Sequence, residues 1–149
     1  MPSTPTAAVQ RIFDQALQDH KAGRLADAEA RYHQVIALQP DHAGAHHLLG
    51  LIAHQVGRHD RAVDWIRQAI VLNPKDPAAH LHLGEAYRAL GRVEEAAGFY
   101  RRAIELDPDN ALLQYFAMSA SDIGVPSEGL TQPLNSLHSF SKTEESAST

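Results

Sequence analysis

Apolar residues along this chain recur at the spacing of one helix face, in short blocks that stop and restart. In residues 43–76 the first block carries Ala45, Leu49, Ile52 and Val56 at steps of four, three and four, a single helical stripe. Gly57 follows at once, and glycine just past a helix turns left-handed without a Cβ clash. The second block places Ala62, Trp65 or Ile66, Ala69 and Ile70 on one face. Pro74 then forbids continuation and biases Asn73 out of the helical region. Asp76-Pro77 reads as an N-cap followed by proline at the first helical position. The pattern predicts two helices of about fourteen residues joined by a glycine turn, an antiparallel hairpin.

The same pattern occurs three times, 34 residues apart. Gly23-Arg24, Gly57-Arg58 and Gly91-Arg92 keep that step, as do Ala28, Ala62 and Ala96, and Pro40, Pro74 and Pro108. A period this long and regular predicts stacked copies of one helical hairpin. Gly50 and Gly84 fall inside first helices, where glycine costs roughly 1 kcal/mol against alanine. They are tolerated where a facing helix must approach closely.

Composition changes this picture little. The 149 residues suit one domain or a short solenoid, and a hydrophobic share of 44% suffices for a core. A net charge of -5 argues against nucleic acid, which needs a clustered basic surface. No cysteine is present, which excludes disulfides and thiolate zinc sites. The opening residues lack the basic and apolar regions of a signal peptide, and no apolar run approaches a membrane span. The expectation is a soluble, cytoplasmic protein with no membrane or nucleic-acid partner and no cofactor.

These residues resemble the tetratricopeptide repeat (TPR). Residues 77–110 give Leu83-Gly84, Tyr87, Ala96, Tyr100, Ala103 and Pro108 at the family's positions, and residues 43–76 give Leu49-Gly50, Ala53, Ala62, Ile66, Ala69 and Pro74. Residues 9–42 keep Ala28, Tyr32, Val35 and Pro40, but carry Gln15-Ala16 for Leu-Gly and Asp19 for an apolar residue. The fourth position departs throughout, with Ile12, His46 and His80. The resemblance implies an all-α, right-handed α-solenoid of three TPR hairpins, 9–42, 43–76 and 77–110, after a flexible leader, 1–8. A C-terminal capping helix, 111–122, and a Ser/Thr/Pro-rich tail, 123–149, would follow.

The family resemblance implies a concave groove lined by first helices, holding a peptide or a partner's extended segment. The corresponding positions give Gln10, Phe13, Leu17 and His20, then Gly44, His47, Leu51 and His54, then Ala78, Leu81, Glu85 and Arg88. This surface would be apolar along Phe13, Leu17, Leu51 and Leu81 and polar along His20, His54 and Arg88, as suits a peptide with aliphatic side chains. Leu17 and Leu51 read equally well as packing between first helices. The carboxylate clamp of chaperone-binding members is missing, since Phe13, Leu17, Leu48, Ala78 and His82 stand at its positions. So is the asparagine ladder of the O-glycosyltransferase repeats, replaced by Asp14, Leu48 and His82.

Ten histidines are many for this length. They read chiefly as semi-buried flat side chains, with no metal set assigned, since His42 precedes the helix that carries His46. A sharper reading is a groove whose charge rises below about pH 6.5 through His20, His47 and His54. Catalytic motifs are missing: there is no cysteine nucleophile, no Gly-x-Ser-x-Gly and no phosphate loop. Glu94-Glu95 and Asp27-Ala28-Glu29 read as acids near helix starts. The chain is therefore not expected to be an enzyme.

After Asn110, Leu112, Leu113, Tyr115, Phe116 and Met118 cannot all face the last hairpin, and are candidates for self-association as a homodimer. Leu134, Leu137 and Phe140 in the tail form a short motif that could dock in a groove. The sequence supports a non-catalytic adaptor or scaffold that binds a peptide or partner segment. Two alternatives stay open: an N-terminal docking arm of a larger methyl- or glycosyltransferase, and an assembly subunit whose repeats self-associate.

Overall fold

The computed structural model of the chain describes residues 5–110. Among these residues all regular structure is helical: α1 (Pro5–Lys21), α2 (Leu25–Leu38), α3 (Ala43–Gln55), α4 (His59–Leu72), α5 (Pro77–Ala89) and α6 (Val93–Leu106). The chain divides after Pro74 into two compact units, α1–α4 in the first and α5–α6 in the second. The helix read over 111–122, with Leu112, Leu113, Tyr115, Phe116 and Met118, lies outside the described residues, as does the tail. α1 begins at Pro5, inside the stretch read as leader. Proline is well suited to a first helical turn, where its missing N–H would have no partner.

Each hairpin turn is made by one glycine. Gly23, Gly57 and Gly91 have φ of 81°, 86° and 79°. A Cβ there would meet nothing within 4 Å, so the left-handed backbone alone requires glycine. The arginine after each glycine sends its N–H back to a carbonyl five residues earlier, Asp19, Ala53 or Tyr87, at 2.8, 2.7 and 2.9 Å. The glycine N–H reaches His20, His54 or Arg88 at 3.1, 3.1 and 2.9 Å. This is the Schellman closure, which satisfies carbonyls the helix end would strand.

The second helices stop the same way three times. Gln39, Asn73 and Asp107 take φ near the extended region, -141°, -142° and -145°, each followed by proline. The restarts differ. Asp76 Oδ1 accepts from the Ala78 N–H at 3.1 Å, with Pro77 at the first helical position. At α3 the His42 ring does that work: its Nδ1 accepts from the Ala45 N–H at 3.0 Å.

Within each hairpin the first helix meets the second where both carry small residues. Ala16, Gly50 and Gly84 are equivalent, and are opposed by Ala28, Ala62 and Ala96, each with no exposed surface. A Cβ on Gly50 would collide with Ile66 Cγ1 and sit 3.1 Å from the Ala62 carbonyl oxygen. On Gly84 it would sit 2.8 Å from the Tyr100 ring and 3.2 Å from the Ala96 oxygen. Around these contacts Tyr32, Val35, Ile52, Ile66, Leu83, Tyr87 and Tyr100 are almost wholly buried. Val56, read as the end of the α3 stripe, is instead 51% exposed, because the helix has already given way to the glycine turn.

One pair of positions is filled three ways. In the second unit Tyr87 and Phe99 stack at 5.4 Å, 8° from parallel, with the Arg92 guanidinium 4.8 Å over the Tyr87 ring. The middle hairpin has Ala53 and Trp65 there. The first has Asp19 and Arg31, joined at 2.8 Å, and Arg24, the counterpart of Arg92, grips the other Asp19 oxygen at 2.9 Å. Asp19, an apparent defect in the sequence, is thus a carboxylate held between two guanidinium groups, which push its pKa below the usual carboxylate range.

Gly50→Ala tests the close approach. Helix propensity alone would favour alanine by roughly 1 kcal/mol. Overpacking against a fully buried isoleucine and a backbone carbonyl costs about 1–3 kcal/mol. We expect a net loss of stability, read as a lower midpoint of thermal unfolding; a rise would show that the helices are not in contact there.

Candidate functional site

In the first unit α1 and α3 are tied at two levels. Toward one end the Phe13 ring lies 4.6 Å from His42 and 5.8 Å from Tyr32, and its tip would touch a Cβ placed on Gly44 at 3.2 Å. Toward the other, His20 bridges three helices: its Nδ1 is 3.2 Å from the Tyr32 hydroxyl and its Nε2 2.9 Å from Gln55 Oε1. Leu17 lies one turn beyond Phe13, and Leu51 one turn before Gln55, between these two levels. Both are half-buried.

The remaining positions read from sequence fall into three groups. Gln10 is exposed and donates to Asp14 Oδ1 at 2.9 Å. His47 and Leu81 are buried, 8% and 3% exposed, and present little surface. His54 is half-buried and pairs with His59 across the turn. In the second unit burial raises the Glu85 pKa, opposed by nearby Arg88. Burial also raises the Tyr100 pKa; Glu85 adds to the effect, while the charge and hydrogen bond of Arg88 reduce it. Glu85, Arg88 and Tyr100 therefore form one electrostatic cluster.

Three histidine roles were hidden in the sequence. His42 caps α3, His20 links α1 to α2 and α3, and His46 Nε2 donates to the Pro40 carbonyl at 2.9 Å with the ring 7% exposed. The last replaces a packed aromatic with a ring that also closes a loop carbonyl. The sequence signal for a cap was the place of His42, just before the helical stripe. A cleft of about 50 Å³ between α2, α3 and α4, bordered by Glu29, His33, Arg58 and Trp65, is large enough for water alone. Among the described residues no group of three or more His, Cys, Asp or Glu is placed to hold a metal ion.

Comparison with known proteins matches this architecture. A tetratricopeptide-repeat family model covers residues 13–77 and 66–111, and the chain belongs to that family. An O-GlcNAc transferase mutant from Thermobaculum terrenum is similar at 28% identity and a TM-score of 0.77, over 80% of this chain. This chain spans 23% of that one. The Arabidopsis OM64 TPR domain is similar at 20% identity and a TM-score of 0.74, over 78% of this chain and 97% of its own. The first TPR of Spaghetti (RPAP3), solved bound to the HSP90 peptide SRMEEVD, is similar at 21% identity and 0.73, over 77% and 91%. No curated protein matches this sequence. The fold is an all-α TPR solenoid, that of a protein–protein interaction module. No helix among the described residues is long and apolar enough to cross a membrane.

The caps make stability depend on pH. Burial lowers the His42 pKa below its ordinary value near 6.5; burial, then His59, lowers that of His54. The unfolded chain therefore takes up protons first as pH falls through about 6.5, and stability drops below that point. Above it both states are neutral at these rings and the contribution is flat. His42→Asn replaces the capping ring nitrogen with a capping side-chain oxygen and removes one titration. The expected result is a midpoint of unfolding that falls less steeply than wild type between about pH 6.5 and 5. Equal slopes would contradict the cap.

Proposed function

We propose that the chain acts as a non-catalytic adaptor whose first helices hold a partner's peptide segment through aliphatic contacts. The observation that carries this reading is the Leu17–Leu51 strip, half-exposed between the Phe13 and His20 ties of the first unit. Apolar surface of this kind, rimmed by polar groups, suits side chains of a docked segment. The partner differs from an acidic C-terminal peptide such as SRMEEVD. The positions for a cationic clamp hold Phe13, Leu17, Leu48, Ala78 and His82, and the net charge is -5. A peptide with several carboxylates would meet neither a donor array nor a favourable field.

A second reading rests on the 28% identity to a transferase of which this chain matches only 23%. In it the repeats are a docking arm carried beside a catalytic domain. The absent asparagine ladder, with Asp14, Leu48 and His82 in its place, sets the docking chemistry apart from that of the O-glycosyltransferase repeats. Genomic sequence downstream of Thr149 distinguishes the two readings.

Selection of displayed random peptides on the full chain tests the main proposal. Enriched peptides should carry aliphatic residues without a preference for an acidic C-terminus. Leu51→Asp should weaken a selected peptide by about tenfold or more, the size expected when a central apolar anchor loses its pocket. Saturable binding of SRMEEVD at micromolar concentration would overturn the reading.

A further inference from the structure

The turn between α3 and α4 brings two imidazoles together. His54 closes α3 and His59 opens α4, and their Nδ1 atoms are 2.9 Å apart, with ring centroids at 4.8 Å and planes inclined by 58°. Two backbone hydrogen bonds close the turn that holds them: the Gly57 N–H bonds the His54 carbonyl, and the Arg58 N–H the Ala53 carbonyl. Three copies of this turn exist, and only the middle one carries the pair. The equivalent residues are His20 and Leu25 in the first copy, Arg88 and Val93 in the third. Both sister turns close with the same hydrogen bonds. The fold therefore does not require histidine at either place.

We propose that His54 and His59 form a two-imidazole chelate for a divalent transition ion that favours imidazole ligands, Ni²⁺ or Cu²⁺. The 2.9 Å separation is that of a hydrogen bond between the rings, and it places both Nδ1 atoms within reach of one point. Imidazole nitrogens suit Ni²⁺ and Cu²⁺, which bind such ligands most tightly among the first-row divalent ions. Without metal, one Nδ1 donates its proton to the other. Binding moves that proton through solvent to Nε2 of the same ring. Each Nδ1 then offers a lone pair, after a modest rotation about Cβ–Cγ, and a neutral pair releases no net proton. The C-terminus of α3 attracts a cation and the N-terminus of α4 repels one, so the helix dipoles largely offset. Because no third His, Cys, Asp or Glu joins them among the described residues, water fills the remaining positions. The proposal is independent of the peptide-binding reading.

The test is calorimetric titration of the full chain with Ni²⁺ at about pH 7.5, where imidazole is neutral. His54→Arg and His59→Leu borrow residues from the sister turns, so both variants should fold, as helical circular dichroism would confirm. One wild-type site is expected, weakened by about tenfold or more in each single variant and lost in the double variant. His33→Gln, at a histidine 50% exposed on α2, should leave the affinity unchanged. Cu²⁺ added to the wild type should show paramagnetic resonance with coupling to two nitrogens, lost in the double variant. Affinity that stays within about twofold in the double variant, or no measurable wild-type site, overturns the proposal.

Discussion

The structure depends on how closely two helices of a hairpin can approach. At Gly50 and Gly84 the missing side chain lets the facing backbone carbonyl and a large buried residue fill the space. Glycine weakens an isolated helix, so its presence there is explained only by what the neighbour gains. Gly50 lies under Ile66 and Gly84 under Tyr100, and the equivalent positions in the first hairpin are Ala16 and Tyr32. Each hairpin solves one packing problem with a different pair of volumes, and the glycine turn fixes the register at which the solution applies.

The same economy explains Asp19. A carboxylate at an apolar position would be costly if it stood alone. It occurs together with Arg31 where the other hairpins carry an aromatic, and Arg24 closes the arrangement. Arg24 and Arg31 remain partly exposed, so the triad satisfies Asp19 more than it strengthens the unit. The first unit carries a half-buried aliphatic pair, Leu17 and Leu51, near the imidazoles of His20 and His42, and the proposed partner chemistry follows from that combination.

Much of the fold could be read from the chain, because turn glycines, terminating prolines and small interior residues answer to local constraints. Gly57 had to be left-handed and Asn73 extended whatever surrounded them. The site was less legible. Whether Leu81 faces solvent depends on packing that helical periodicity does not encode, and it is buried. The partners of Asp19, His20 and His46 lie 12, 35 or 6 residues away, beyond any motif. His54 and His59 are five apart, a spacing that places them on no common helix face and acquires meaning only through the turn.

A double-mutant cycle between Gly50→Ala and Ile66→Ala measures the central contact most directly. If the added Cβ is costly because it strikes Ile66, shortening that residue should make room, and Gly50→Ala should cost less in the Ile66→Ala background by about 1 kcal/mol or more. Strict additivity of the two changes, within about 0.3 kcal/mol, would mean that the helices do not meet at this point and would contradict the account.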